Sequence, residues 1–305
     1  MTNPTIIQSG DFATAGNEPP KVRLPDRQLF SRRAQRLRQL ATGHSMADYL
    51  RFAAALAEAQ QQQLERLPVL PLPDQRFLEH CREHHMPPLA PTGWPRDPVW
   101  RTVAVQLTEA LDAIAPAPAR AAFAHLRTAP AEWLETQADA LLAEDRTTLD
   151  LTCAPVIGAA LQVYWTGLAA ALDAAWIAPP ATSALCPVCG TAPVASVVGG
   201  TGDADSGLRY LHCALCGSEW HAVRAQCSQC NNDKGIVYFA VENAGQPIQA
   251  EACPECGSYL KLCRRDQLLD MEPLADDLAS LALDVLMGEE KFARSGVNYW
   301  MLQGE

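Results

Sequence analysis

The chain has 305 residues, 48% of them hydrophobic and 19% charged, with a formal net charge of -11. That is the composition of a folded protein with room for two or three domains and a buried core. The surplus of acid argues against a nucleic-acid binder, because phosphate recognition depends on Lys and Arg.

The opening residues, MTNPTIIQSGDFATAGNEPP, are polar and carry neither a basic start nor an apolar run. They are not expected to direct secretion. Residues 1–24 are expected to be a flexible segment and the protein to be cytoplasmic. In a reducing compartment, cysteines spaced as pairs are more often metal ligands or redox pairs than disulfides.

Leu29 to Ala41 reads as a helix with a basic face of Arg32, Arg33, Arg36 and Arg38. Such a face is normally solvated, with an acidic partner as the alternative. A second helix begins near Ser45, where Tyr49, Phe52, Leu56 and Ala59 recur at helical spacing. Prolines interrupt residues 67–98 and bracket one short helix around Gln75 to His85. His80, Cys81, His84 and His85 lie there. No Glu-x-x-His pattern completes a metal site among them, so they are read as ordinary helix residues.

Helical patterns continue at 99–113, 117–128, 130–144 and 154–177, rich in Ala and Leu. Residues 25–180 are therefore expected to form one all-α domain. The nearly uncharged stretch Pro155 to Ile177 is as long as a spanning helix. It is Ala-rich, contains Gln162 and Asp173 and has no flanking Lys or Arg, so it is expected to be a buried central helix.

After Pro179-Pro180 the texture changes to Gly, Cys and short β-branched or aromatic runs, PVASVV, LRYLHC, WHAVRAQ and GIVYFAV, which read as strands. Four Cys-x-x-Cys pairs punctuate them: Cys186 and Cys189, Cys213 and Cys216, Cys227 and Cys230, Cys253 and Cys256. Two thiolates three residues apart reach one ion if the chain turns tightly, and that turn needs a residue at ease with positive φ. Gly190, Gly217, Asn231 and Gly257 follow the four pairs.

Cys186 to Cys227 and Cys189 to Cys230 are each 41 residues; Cys213 to Cys253 and Cys216 to Cys256 are each 40. The repeat favours two successive modules, residues 181–225 and 226–266, each completing its own four-sulfur site, over an interleaved cross-brace. A module this small cannot offset chain ordering, which costs about 1.5 kcal/mol per residue. A four-thiolate ion contributes on the order of 10–16 kcal/mol, so metal removal is expected to unfold the ribbons while the helices persist. Four sulfurs leave no open coordination position, which argues against metal hydrolysis and assigns no catalytic residue. Iron and zinc both suit such a set.

Cys153 and Cys263 are unpaired and read as small buried hydrophobes. His212 and His221 flank the knuckles, as supporting donors to the first site or as plain strand residues. Residues 267–305 carry 2 basic and 8 acidic side chains and are expected to hold an acidic helix from Pro273. Leu274, Leu278, Leu281 and Val285 form its apolar face and Asp276, Asp277 and Asp284 its polar face. The polar face is expected to be solvated, with docking against the ribbons or the helical domain as the alternative.

Taken together, LPDRQLFSRRAQRLRQLA, MADYLRFAAALA, CPVCGTAPVAS, GLRYLHCALCGSEWHAVRAQCSQC, EACPECGSYLK, ADDLASLALDVLM and FARSGVNYW resemble the FdhE proteins along the whole chain. The resemblance implies an accessory protein, not an enzyme. It implies two rubredoxin-like sites holding iron, with zinc as the alternative, on Cys186, Cys189, Cys213, Cys216 and on Cys227, Cys230, Cys253, Cys256. It also implies binding to the catalytic subunit of respiratory formate dehydrogenase before export by the twin-arginine route. A redox-active or redox-sensing iron protein of the rubredoxin type is the alternative function.

Overall fold

The computed structural model describes residues 20–92, 95–180, 182–199, 207–241 and 247–301. Most of the segment expected to be flexible, residues 1–19, lies outside them. Its end does not behave as expected: Val22–Arg23 is a short strand, β1.

Seven helices follow: α1 (Leu29–Leu40), α2 (Ala47–Arg66), α3 (Gln75–Glu83), α4 (Val99–Leu111), α5 (Ala117–Thr128), α6 (Ala131–Leu142) and α7 (Ala154–Ala171). Asp74 caps α3 by accepting from the Phe77 amide, and prolines precede α4, α5 and α6 at positions that need no amide. Helix α7 is the one described helix long and apolar enough to cross a membrane. It is buried on every side by protein, which is why its apolar residues show no single face. It ends six residues before the expected Ile177, and Ala174–Trp176 is a separate 3-10 turn capped by Asp173.

The remaining strands are β2 (Pro193–Val198), β3 (Arg209–Cys213), β4 (Glu219–Ala222), β5 (Val237–Phe239), β6 (Ile248–Cys253) and β7 (Ser258–Arg264). Two helices, α8 (Pro273–Ala279) and α9 (Leu281–Glu289), and a strand, β8 (Ala293–Arg294), follow them among the described residues. The repeat is visible in the topology. β2-β3-β4 and β5-β6-β7 are each an antiparallel meander.

The two meanders are not separate ribbons. β2 pairs in parallel with β7, Ser196 opposite Leu262 and Val198 opposite Arg264, so one sheet runs in the order β1-β4-β3-β2-β7-β6-β5 with β8 on β7. Both strands at the join are buried, which is the usual condition of parallel pairing.

The acidic C-terminal region also differs from its expected form. Ser280 breaks the single expected helix in two and accepts no continuation of the apolar face: Leu274 and Leu278 are buried, but Val285 is 64% exposed, and Leu283 and Met287 face inward instead. Asp276 and Asp277, expected on a solvated face, are buried together with Glu272, and Asp284 is half-buried. Glu272 receives Arg33 at 3.0 Å and Asp276 receives Arg36 at 2.6 Å, all four side chains 6% exposed or less. Asp277 receives Lys261 Nζ at 3.1 Å and Arg294 at 2.7 Å, and Asp284 receives Lys261 at 2.6 Å.

Half of the basic face of α1 is thus the counter-surface of the acidic tail, while Arg32 and Arg38 stay at the surface on Asp26 and Glu58. The reason is pairing across 240 positions of sequence: buried charges persist only with partners.

Burial alone pushes Glu272 and Asp277 up, but Arg33 on the first and Lys261 with Arg294 on the second hold both below the usual carboxylate range. Glu219 is likewise held down against burial by Arg265 and His212. Asp276 goes the other way, its burial outweighing Arg36. An acid with a depressed folded pKa contributes stability above its unfolded value that is lost as pH falls. Three groups outvote one, so the urea midpoint is expected to fall as pH drops below about 4.3, the unfolded Glu value. Asp277→Asn is expected to flatten that slope.

Candidate metal centre

Three knuckles are tight turns closed by the same backbone bond: the Gly190 amide donates to the Cys186 carbonyl at 2.7 Å, Asn231 to Cys227 at 3.1 Å and Gly257 to Cys253 at 2.9 Å. At the second knuckle the Cys213 amide donates to the Ser218 carbonyl at 2.9 Å instead. Gly190, Gly217, Asn231 and Gly257 have φ of 74°, 72°, 60° and 69°, the left-handed conformation expected of them. The turns aim both sulfurs of a pair to one side.

Sulfurs gather in sequential order. Cys186, Cys189, Cys213 and Cys216 form one quartet and Cys227, Cys230, Cys253 and Cys256 the other, with every sulfur of a quartet within 4.8 Å of the rest. Within the first, Cys186 and Cys216 stand 3.7 Å apart and Cys189 and Cys213 3.4 Å; within the second, the Cys227–Cys256 and Cys230–Cys253 distances are 3.6 and 3.7 Å. A disulfide requires about 2.05 Å. Four sulfurs placed tetrahedrally about 2.3 Å from one ion stand about 3.8 Å apart. The donor set therefore fits one four-coordinate thiophilic cation per quartet.

Electrostatics support the fit. Burial pushes the Cys186 and Cys213 thiols well up, whereas Cys189 is held well down against burial because Cys186, Cys213 and Cys216 donate to it. In the second quartet, backbone amides and Asn232 bring Cys253, against its burial, down to about 7. Neighbouring sulfurs share protons because four adjacent thiolates repel one another, and a cation removes that conflict.

Smaller donors tune the sulfurs. The amides of Leu215 and Cys216 both donate to Cys213 Sγ at 3.4 Å, and Gln229 N donates to Cys227 Sγ at 3.4 Å. The Thr191 hydroxyl lies 3.5 Å from Cys189 Sγ and that of Ser218 3.2 Å from Cys216 Sγ. Sequence reasoning passed over these hydroxyls, although a Ser or Thr two residues past three of the four knuckles was there to be seen at 191, 218 and 258.

Gln162 was read only as a polar interruption of the apolar stretch, not as a support of the site. This α7 residue donates to the Ala214 carbonyl of the second knuckle at 2.8 Å while accepting from Gln60 and Trp300 at 3.1 Å each. Thr166, one turn further, reaches the Cys216 carbonyl at 3.4 Å. From the other side the Leu89 amide donates to Val188 O at 2.9 Å. The first quartet is clamped between a loop and the central helix, and its cysteines belong to the same hydrophobic core as α1 to α7.

The remaining cysteines and histidines stay outside both quartets. Cys81, Cys153 and Cys263 are buried and separate. The rings of His80 and His84 meet at a tilt of 58° with centroids 4.4 Å apart, and His85 contacts Pro179 O at 3.0 Å. His212 is buried with Nδ1 on Glu219 at 3.2 Å, and His221 packs edge-on against Tyr210. Neither touches a sulfur.

The geometry has close relatives. Residues 19–182 match the FdhE N-terminal family, 185–224 the FdhE central domain and 225–301 the FdhE C-terminal domain. The FdhE homologue of Pseudomonas aeruginosa is 40% identical over 309 residues, covering 98% of both chains, and that of Pectobacterium carotovorum is 42% identical over 295 residues, covering 96% of this chain and 94% of the other. The crystal structure of the FdhE protein from Pseudomonas aeruginosa superposes with a TM-score of 0.85 at 39% identity, over 94% of this chain and 100% of that one. With all three domains matched in order and the relatives covered from end to end, the chain belongs to the FdhE family.

Proposed function

We propose that this chain is a cytoplasmic accessory protein for respiratory formate dehydrogenase, one that binds the catalytic subunit and assists its assembly before export. The observation that carries this reading is the end-to-end match to FdhE proteins. Cys186, Cys189, Cys213 and Cys216 hold one ion and Cys227, Cys230, Cys253 and Cys256 another. Both ions are iron, in rubredoxin-like coordination.

An iron held by four thiolates supplies rigid cross-linking of four chain segments and a one-electron couple. Coordinative saturation leaves it no position for substrate, so the chain is not an enzyme. The protein's own contribution is a fixed shape: the knuckles orient the sulfurs, α7 and the Leu89 segment lock the first set, and the paired carboxylates weld the acidic tail to α1.

Co-expression with a tagged formate dehydrogenase catalytic subunit is expected to bring the chain down at close to equal stoichiometry. Absence of the chain from the eluate at physiological salt would remove the reading. Elemental analysis with an absorption spectrum of protein purified without oxygen is expected to give two irons per chain and thiolate-to-iron bands.

A further inference from the structure

The duplicated modules build the same quartet in two different environments. In the first, Pro187 to Cys189 and Ala214 to Gly217 are buried. The helical domain lies directly on both turns: Pro87 packs at Gly190, and Leu29 with Pro25 packs at Gly217. In the second, Gln229 and Cys230, the equivalents of Val188 and Cys189, and Pro254 to Cys256, the equivalents of Ala214 to Cys216, are exposed, while Ser228, the equivalent of Pro187, is buried. No atom lies within 4 Å of where a Cβ at Gly257 would stand. All four sulfurs of the first quartet are buried, whereas Cys230 and Cys256 of the second are exposed, one from each of its knuckles.

We propose that the second quartet is the exchangeable metal position of the chain, open to incoming ligands at Cys230 and Cys256, and that the first is locked by the helical domain. The inference rests on the reading that both quartets hold metal. Ligand exchange at a saturated four-sulfur ion requires an incoming donor to approach the ion as a protein sulfur leaves. At the second site a small chelator or thiolate forms a bond to the ion, the bond to Cys256 or Cys230 breaks, and the released thiolate takes a proton from water. Cys227 and Cys253, buried beneath, hold the ion during the first substitution. At the first site no sulfur can leave without displacing Pro87, Leu29 or α7, so exchange waits on opening of the core.

This difference is what a protein needs if one ion maintains its fold and the other is loaded from, or surrendered to, a thiol-bearing donor or acceptor. The test uses the full chain reconstituted with zinc to two ions, challenged with a chromogenic chelator and, in parallel, with N-ethylmaleimide followed by peptide mass mapping. One equivalent is expected to leave at least about tenfold faster than the other, a barrier difference of about 1.4 kcal/mol. Cys230 and Cys256 are expected to be alkylated first, and Cys186, Cys189, Cys213 and Cys216 last. In Cys256→Ser only the slow equivalent is expected to remain. Two equivalents leaving together, or first labelling within the first quartet, overturns the inference while leaving the metal sites standing. Failure to take up two zinc ions overturns the metal reading itself.

Discussion

Cys213→Ser is expected to leave the chain without a stable native state, the helical domain included. The serine removes one of the four sulfurs proposed to hold the buried ion and places a hydroxyl where a sulfur accepted from the Leu215 and Cys216 amides. A structural four-thiolate ion contributes on the order of 10–16 kcal/mol, against a total folding stability of about 5–15 kcal/mol. The expectation from sequence, that helices outlast the ribbons when metal is lost, depended on separate cores. They share one: Cys186, Cys189, Cys213 and Cys216 sit in the same apolar cluster as Trp100, Leu161 and Trp165. Far-UV circular dichroism of the purified variant is expected to show loss of helix, or the variant is recovered only from the insoluble fraction. Cys256→Ser, at the open quartet, is expected to keep helical circular dichroism near that of the parent. A native Cys213→Ser spectrum with a cooperative melt would refute the shared-core account.

Asp277→Ala is expected to cost about 3–5 kcal/mol, the magnitude found when one partner of a buried ion pair is removed. Asp277 is fully buried and receives Lys261, itself fully buried, together with Arg294 and the Asn298 amide at 2.8 Å. Alanine strips Lys261 down to Asp284 and the carbonyls of Asp277 and Ser280. It also removes the contacts by which Arg294 and Asn298 hold β8 and the segment leading to Trp300 against α8, leaving Arg294 on Asp284 at 3.4 Å. Urea unfolding is expected to show a lowered midpoint at unchanged slope. The double variant Lys261→Met, Asp277→Leu is expected to recover much of the loss, because a packed apolar pair carries no stranded charge. Equal loss in both variants would place the effect in packing rather than in charge.

Much of the candidate site was legible because its information is local. A Cys-x-x-Cys pair followed by Gly or Asn encodes a turn, and the turn brings two sulfurs to one side whatever surrounds it; Gly190, Gly217, Asn231 and Gly257 took the expected backbone conformation for that reason. Gln162 and Thr166 were not legible as supports of the second knuckle. A lone polar residue on an apolar helix announces that it needs a partner, not which carbonyl 50 residues away will supply it. The same limit hid the pairing of Arg33 and Arg36 with Glu272 and Asp276. Each half read as a solvated face because a helix pattern shows which side is charged and is silent about what lies opposite.

Sequence alone determined the helical first half, the duplicated sulfur knuckles and the sequential order of the two quartets, since each follows from residue spacing over 41 positions or fewer. Tertiary structure decided that the two modules fuse through the parallel β2–β7 pair, that the acidic tail closes onto α1, and that one quartet is buried while its copy stands open. Those outcomes depend on which surfaces meet across 60 to 240 positions, and hydrophobic burial, which drives the meeting, has no direction written in the local pattern.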